Sequence, residues 1–323
     1  MKKSILILFL SVFCQGVIHA QEWTMENGTL IISGTWMRDY TSNNQPWRDL
    51  QSSIRKVVIK EGVRNIGAQA FYYCSNLTSV TIPNTVTKIG GCAFKGCNAL
   101  TTIEIPNSVT EIGGNAFENC QHLTSIIIPN SVTKLGGYVF HYCFNLTSVT
   151  LSNSITKIEE KTFQSCTSLA SVNIPNSVTS IGNQAFSGCS SLPAITIPKS
   201  VTSIGGEAFG GCKSLATIIC YATTPPLPGQ YAPNANKNWF TFVPTPTGTL
   251  YVPASSISAY KAADEWKHWQ NIKAIEDGIP TGLDKITDDK ADDDKIYNLN
   301  GQRINGLNAP KGIYIKNGKK YAR

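Results

Sequence analysis

Hydrophobic and polar positions repeat along this chain with a fixed period of 23 residues. The most regular hydrophobic positions are seven phenylalanines, each followed three residues later by a cysteine: Phe71, Phe94, Phe117, Phe140, Phe163, Phe186 and Phe209. The whole unit reads I-P-N-S-V-T-x-I-G-x-x-A-F-x-x-C-x-x-L-T-S-V-x, and residues 82–104 are one copy of it. A period held over seven copies without an insertion predicts a solenoid in which each copy stacks on the one before.

Each copy ends on an alternating segment that is typical of a strand. In the copy that ends at Ile82, the alternation predicts Val80 and Ile82 inside and the intervening polar residues outside. Pro83 then ends the strand because it has no N–H to give to a ladder. We expect the asparagine of the following turn to hydrogen-bond to its equivalents in neighbouring copies. These asparagines are Asn84, Asn107, Asn130, Asn153 and Asn176.

The rest of the unit predicts a corner and a compact outer turn. A glycine such as Gly90 occurs in six of the seven copies, with Glu159 as the exception. It indicates either a positive φ or a close backbone approach. Phe94, Cys97 and Leu100 follow at three-residue spacing, which predicts a 3₁₀ or single helical turn with one side inward. The phenylalanines therefore form the main buried column of the core.

The seven repeated cysteines allow two interpretations. Exported proteins often carry disulfides, yet seven is an odd number and free cysteine is among the most buried residue types. We expect the outer turns to splay too far apart for the 4.4–6.8 Å Cα separation that a disulfide needs. The column cysteines are therefore predicted to be free and buried, whereas Cys92 and Cys220, which lie off the column, could pair with a neighbour.

Two phrases, "LTSVTIPNTVTKIGGCAF" at 77–94 and "LASVNIPNSVTSIGNQAFSGC" at 169–189, resemble the BspA-type leucine-rich repeat proteins of Bacteroidetes and some eukaryotic parasites. The resemblance implies an α/β solenoid: a right-handed stack of 23-residue rungs with a parallel concave sheet, capped at both ends. It extends to "WTMENGTLIISG" at 23–34 as a leading cap and to residues 250–276 as a trailing cap. Open rung edges need such covers. We expect one end to be sealed by Trp23, Trp36 and Trp47, and the other by Trp239, Trp266 and Trp269.

Composition shifts predict six segments. Residues 1–20 resemble a signal peptide, with Lys2 and Lys3 before an apolar run and Ala20 before the cut. They are followed by an N-terminal cap at 21–53, the solenoid at 54–220 and a C-terminal cap at 221–278. The acidic stretch at 279–295 is predicted to be a linker. Residues 296–323 alternate strand patterns with Asn-Gly turns, which predicts a small β module.

Charge and spacing argue against several functions. The formal net charge is +7, but five basic residues lie in the last 13 positions, so no basic stripe on the repeats indicates nucleic-acid binding. No C-x-x-C spacing or histidine cluster predicts a metal site, and no cofactor motif is present. The carboxylates of the repeats are scattered and suggest no catalytic arrangement. They are Glu104, Glu111, Glu118, Glu159, Glu160 and Glu207.

Two surfaces are candidate partner-binding sites. The outward strand positions form a hydroxyl-rich, almost uncharged face, represented by Ser125, Ile127, Ser148, Thr150 and Asn173. The second surface departs from the repeat, because aromatic side chains replace small or polar ones at Tyr138, His141, Tyr142 and Phe144. Repeat drift could produce the same cluster, although aromatic residues are enriched at interfaces.

The family resemblance implies a secreted or surface-exposed, outer-membrane-associated protein that is not an enzyme. Its expected partner is a protein or glycan on a host or bacterial surface, contacted through the extended solenoid face. The alternative is a structural component of the cell envelope that associates weakly with copies of itself and has no host ligand. No stretch beyond the leader approaches the roughly twenty apolar residues of a transmembrane helix.

Overall fold

The computed structural model describes residues 21–228 and 248–275, together with the backbone of four strands between 296 and 322. The chain forms two compact units, Met1–Gly282 and Leu283–Arg323. The first unit contains the repeats, and the predicted signal peptide, acidic linker and Trp239 lie outside the described residues.

The first unit begins with a hairpin that starts the stack. Strands β1 (Glu22–Glu26) and β2 (Thr29–Ser33) pair antiparallel. Asn27 and Gly28 form the turn between them, both with positive φ, as this type of tight hairpin requires. A 3₁₀ helix at Arg48–Ser53 then leads into β3 (Lys56–Ile59), which pairs parallel with β2. From there the rungs add parallel strands, although residues 101–106 of one rung form no strand in this column.

The rungs place short strands in two parallel columns. The first column continues from β3 through β5 (Ser79–Thr81), β8 (Ser125–Ile127), β10 (Ser148–Thr150), β12 (Ser171–Val172), β14 (Ala194–Ile197) and β16 (Thr217–Cys220) to β18 (Thr249–Val252) and β19 (Asn271–Ala274). Ser148 lies opposite Ser125 on one side and Ser171 on the other, so the register step equals the sequence period. The inward residues Ile126, Val149 and Val172 are buried, and Val80 and Ile82 pack partly buried against the core on the predicted side. The first column comprises three sheets, because β5 and β8, and β12 and β14, are not paired within the described residues.

The second column lies at the other extended segment of each rung. Its first block is β4 (Asn65–Ile66), β6 (Lys88–Ile89), β7 (Glu111–Ile112) and β9 (Lys134–Leu135). Its second block is β11 (Lys157–Ile158), β13 (Ser180–Ile181), β15 (Ser203–Ile204) and β17 (Leu227–Pro228). Within the described residues, β9 and β11 are not paired, so the column divides into two sheets.

The outer turns form a third hydrogen-bonded ladder. Phe94 N donates to Ala116 O of the next rung at 2.8 Å, while Cys97 N donates to Phe94 O within its own rung at 3.1 Å. The second contact closes a 3₁₀-type turn, as the spacing predicted. In residues 21–228 and 248–275 the only α-helix is α1 (Ile257–Ala262), in the trailing region after the 3₁₀ turn Ala254–Ser256. The predicted stack of 23-residue leucine-rich rungs is confirmed.

The seven phenylalanines form the buried column that the spacing predicted. All are fully buried, and neighbouring rings stack with centroids 5.2–5.9 Å apart. Trp47 continues the column, 5.9 Å from Phe71, and so closes the first end of the core. Trp266 and Trp269 are buried near the other end. The prediction for Trp36 was wrong, because its side chain is 58 % exposed.

The nine described cysteines are free, including Cys92 and Cys220. The column thiols are buried, and from Cys97 onwards each donates to the carbonyl of the phenylalanine 26 residues earlier, at 3.1–3.2 Å. The expectation that outer turns splay apart was wrong, because their backbone ladder holds them together. The thiols stay unpaired while each satisfies a buried carbonyl.

The corner predictions are confirmed in part. The turn asparagines, such as Asn84, are exposed. One pair makes the predicted bond between rungs, because Asn153 N donates to Asn130 Oδ1 at 2.9 Å. In other rungs the hydroxyl that follows the asparagine makes the contact, for example from Ser108 Oγ to Val86 O at 2.6 Å. The repeated glycine is required by close approach and not by positive φ. A Cβ on Gly67, Gly90, Gly113, Gly136, Gly182 or Gly205 would lie 1.9–2.6 Å from backbone of the preceding turn of the chain.

The second unit contains a four-stranded antiparallel sheet. Its strands are β20 (Ile296–Asn298), β21 (Arg303–Ile304), β22 (Ile313–Lys316) and β23 (Lys319–Ala322), in the order β21–β20–β22–β23. The segment predicted to be a small β module therefore forms a sheet of its own.

Candidate functional site

The outward strand positions form an even surface along the first column. Ser125 and Ser148 are exposed neighbours, and Thr150 lies opposite Ile127, which is 47 % exposed. Asn173 is half-buried and follows the end of β12. The same column does not stay exposed to its end, because Ile219 is buried. The strand face therefore brings the five predicted residues together as a smooth surface with one apolar side chain.

The aromatic patch, defined as Tyr138, His141, Tyr142 and Phe144, forms one continuous cluster. The His141 ring stacks on Tyr142 with centroids 3.8 Å apart and meets Tyr138 edge-on at 5.6 Å. Tyr142 in turn lies 5.7 Å from Phe144. Tyr142 is 42 % exposed, while Tyr138 and Phe144 are half-buried. The patch therefore presents one ring to solvent and supports it with three others.

Both tyrosines of the patch occupy left-handed backbone. The φ angles of Tyr138 and Tyr142 are +61° and +60°. The position of Tyr142 is glycine in three other rungs, at Gly96, Gly188 and Gly211, where φ is also positive. A left-handed residue with a Cβ costs roughly 1–2 kcal/mol, and bulky residues with positive φ are outliers. The position of Tyr138 has positive φ in every rung, for example at Asn115 and Lys161, so this backbone conformation belongs to the outer turn of the fold and not to the patch alone.

His141 was predicted to be surface-exposed, and this was wrong. Its side chain is buried beneath Tyr142 and faces Glu118 of the preceding rung, with Nδ1 3.4 Å from Oε1. Glu118 also accepts from Lys95 Nζ at 2.8 Å and from Asn115 Nδ2 at 2.5 Å. Burial alone would raise the pKa of Glu118, but the adjacent His141 and the hydrogen bonds from Lys95 and Asn115 outweigh it and lower the pKa to about 2. The patch therefore lies on a buried carboxylate.

A second charged pair holds Tyr138 from the following rung. The Tyr138 hydroxyl donates to Glu160 Oε1 at 3.0 Å, and Lys161 Nζ lies 5.0 Å from the centre of the Tyr138 ring. Burial lowers the pKa of Lys161, but the hydrogen bond and charge of Tyr138 and the charge of Glu160 raise it overall. The ring is thus fixed by a hydrogen bond at its edge and a cation over its face.

Sequence reasoning missed Lys95, Glu118, Glu160 and Lys161 as parts of this site. The signal was present in the period, because Lys95, Glu118 and His141 are 23 residues apart and Tyr138 and Lys161 share the same step. In a stack with this register, equivalent positions of adjacent rungs are neighbours. Reading the chain in rows of 23 would have brought these pairs together.

Within the described ranges, no three His, Cys, Asp or Glu side chains form a group that could hold a metal ion. In the same part of the chain, no helix has the length and hydrophobicity needed to cross a bilayer.

The repeat region matches the family model described as a BspA type leucine rich repeat region. The match has six copies and covers residues 50–170 and 156–225, which together are more than half of the chain. The chain belongs to this family. This BspA-type assignment agrees with the resemblance carried by the repeat phrases at 77–94 and 169–189.

Solved structures of other bacterial leucine-rich repeat proteins are similar to this BspA-type chain. A leucine-rich repeat protein of T. pallidum is 24 % identical, over 55 % of this chain and 88 % of that one, with a TM-score of 0.45. A leucine rich cell surface protein of Faecalibacterium prausnitzii is 23 % identical, over 79 % and 93 % of the two chains, with a TM-score of 0.47. A leucine-rich repeat protein of Bacteroides ovatus is 20 % identical, over 83 % and 100 %, with a TM-score of 0.35. The search of curated proteins gives no match.

Proposed function

We propose that this BspA-type protein is a non-enzymatic binding protein, secreted or held at the cell surface, that attaches to a protein or glycan on a host or bacterial surface. The aromatic patch is its anchor, and the neighbouring strand face around Ser125 and Ser148 contributes weaker contacts. Extended solenoid surfaces suit recognition of large ligands. Binding through one anchored patch and a repetitive face favours multivalent attachment over tight single-site binding.

The observation that carries this proposal is the contiguous cluster of four rings, in which the exposed Tyr142 stacks on the buried His141. Tyr73 has positive φ at the same repeat position, so backbone conformation alone does not distinguish the patch. Tyrosine is enriched at binding hot spots. The buried Glu118–His141 pair lies beneath the Tyr142 ring and supports it, although burying such a pair costs desolvation free energy.

The test compares the double variant Tyr142→Ser, Phe144→Ser with Tyr73→Ser. Tyr73 occupies the same repeat position, also has positive φ and is 43 % exposed, but it lies three rungs away. Purified protein is applied to immobilised host matrix proteins and to bacterial envelope preparations. We expect the double variant to lose at least about tenfold in affinity and Tyr73→Ser to bind normally. Equal binding by the double variant and the native protein would refute the patch as anchor.

A structural role in the cell envelope is the second candidate. Among the described residues, β1 and β19 each pair with only one strand, so each end of the stack presents a strand edge. Such edges are templates for pairing with another chain. If this role is the main one, light scattering after size exclusion will show end-to-end oligomers, and neither surface preparation will be bound.

A further inference from the structure

One ring of the aromatic patch forms a flat platform. His141 lies beneath Tyr142, with ring centroids 3.8 Å apart and ring planes 26° apart. Because His141 covers one face of the Tyr142 ring, the 42 % exposure of this residue lies on the opposite face and the ring edge. Phe144 lies beside the platform at 5.7 Å, tilted by 43°. The two rings therefore form a shallow apolar corner that is open to solvent.

The charged side chains next to the platform are paired with one another. Lys95 Nζ lies 2.8 Å from Glu118 Oε2, beneath the patch. Lys161 Nζ lies 3.6 Å from Glu160 Oε1, which also accepts the Tyr138 hydroxyl. Each pair sums to zero charge, so neither attracts a charged ligand strongly to the ring.

The remaining charges of these rungs lie along the second column. Glu159 is beside Gly137, at the start of the outer turn and five residues before Tyr142. The side chains that line the pocket of this column include three charges without an ion pair in the described part of the chain: Lys134, Lys157 and Glu159. A charged ligand at the platform therefore finds no unpaired opposite charge among its immediate neighbours.

Amide side chains border the platform on the side of the preceding rung. The outer ladder holds Asn119 there, because its N–H donates to His141 O at 2.7 Å. Asn119 Oδ1 accepts from Gln121 Nε2 at 3.0 Å. In the described residues, this leaves Asn119 Nδ2 as an unused donor and Gln121 Oε1 as an unused acceptor. Both are within one rung of the Tyr142 ring.

The other neighbours of the platform are also uncharged and polar. Ser165 occupies the position of Tyr142 in the following rung and is half-buried. Asn145 is exposed, and its N–H donates to Gln121 O at 3.3 Å. The side chains of Ser165 and Asn145 form no hydrogen bond within residues 21–228. The rim of the platform is thus a set of hydroxyl and amide groups with free donors and acceptors.

A sugar ring matches both parts of this surface. Its C–H groups carry a small positive charge and pack on the negative face of an aromatic ring. Its hydroxyls both donate and accept, as the amide rim requires. We propose that the aromatic patch binds an uncharged pyranose unit of a glycan, stacked on Tyr142 and hydrogen-bonded by Asn119 and Gln121. This inference rests on the proposed function, in which the patch is the anchor, and assigns its ligand class.

The first test measures binding of the purified protein to three immobilised neutral polysaccharides, a mannan, a galactan and a β-glucan, and to heparin, which is sulfated. We expect at least one neutral polysaccharide to bind, with less than about a twofold change in affinity between 50 and 500 mM salt, and heparin not to bind. Tyr142→Ser should lose at least about tenfold, whereas Tyr142→Phe, which keeps the ring, should stay within about threefold. Asn119→Ala should lose at least about threefold.

Tyr73→Ser is the matched control and should bind normally. The Tyr73 ring lies across Gly96, which offers no polar side chain at the position that Ser165 fills beside Tyr142. The inference is overturned if none of the three neutral polysaccharides binds, if heparin binds as well as they do, or if Tyr142→Ser binds them like the native protein.

Periodate, which cleaves the vicinal diols of sugar rings, separates this inference from the proposed function. Host matrix proteins and envelope preparations are tested before and after the treatment. Binding that periodate abolishes, and that the double variant Tyr142→Ser, Phe144→Ser also loses, supports the glycan. Binding that survives periodate but is lost in the double variant keeps the patch as anchor and overturns the glycan. Equal binding by the double variant refutes the anchor, and this inference with it.

Discussion

Replacement of Phe140 by alanine is the sharpest perturbation of the core. Phe140 is fully buried, and its ring stacks between Phe117 at 5.9 Å and Phe163 at 5.5 Å. Its carbonyl also accepts the thiol of Cys166 at 3.1 Å. The substitution removes the ring from the middle of the column and leaves neighbours on both sides that cannot collapse fully, because backbone ladders fix the rung spacing.

The expected cost follows from these contacts. A buried Phe→Ala change destabilises by roughly 3–5 kcal/mol through lost transfer energy and the remaining cavity. For a body of this size, each kcal/mol lowers the melting temperature by about 2–4 °C. We therefore expect Phe140→Ala to melt about 6–20 °C below the native protein.

Thermal unfolding followed by circular dichroism measures this shift. Phe144→Ala is the matched control, because it removes the same side chain four residues later from a half-buried position on the surface. It should lower the melting temperature by only about 1–3 °C. Equal shifts for the two variants, or no shift for Phe140→Ala, would refute a core built on a continuous aromatic column.

Three further predictions concern strain, charge and thiols. Tyr142→Gly should raise the unfolding free energy by about 1 kcal/mol, since glycine adopts positive φ without strain; a lower melting temperature would contradict this. The lowered pKa of Glu118 contributes stability that is complete above about pH 4.5 and is lost as pH falls towards about 2, so Glu118→Gln should flatten the stability profile in that window. Iodoacetamide mapped by mass spectrometry should modify half-buried Cys92 first. It should reach Cys74, whose pKa burial raises to about 12, only after unfolding.

The sequence was sufficient to predict the architecture because every 23-residue rung repeats the same strands, corner and outer turn. Phe94 and its six equivalents indicated the buried column, and Val80 and Ile82 indicated which face of the strand points inward. The period also predicted the register, since Ser125, Ser148 and Ser171 lie side by side. Because the same sequence pattern recurs in seven copies, it predicts the fold far more strongly than a single copy would.

The failures came from side chains that act between rungs. His141 appeared to be exposed because its neighbours in the sequence are surface residues, yet Glu118 of the preceding rung draws it inward. The asparagine prediction held between Asn130 and Asn153, whereas in other rungs the hydroxyl after the asparagine reaches the neighbouring carbonyl. Glu159 was visible as an exception in the sequence, but only the missing pairing between β9 and β11 in the described residues shows that the second column divides there.

Native-state hydrogen exchange, read amide by amide, tests the central claim of one continuous stack whose second column divides between β9 and β11. The account predicts strong protection at the phenylalanine amides of every rung, and slow exchange at Gly136, Thr179 and Gly182. It predicts fast exchange at Thr156 and Glu159, which lack the corresponding bonds. Protection at those two amides equal to that of their equivalents, or fast exchange along the phenylalanine column, would contradict it.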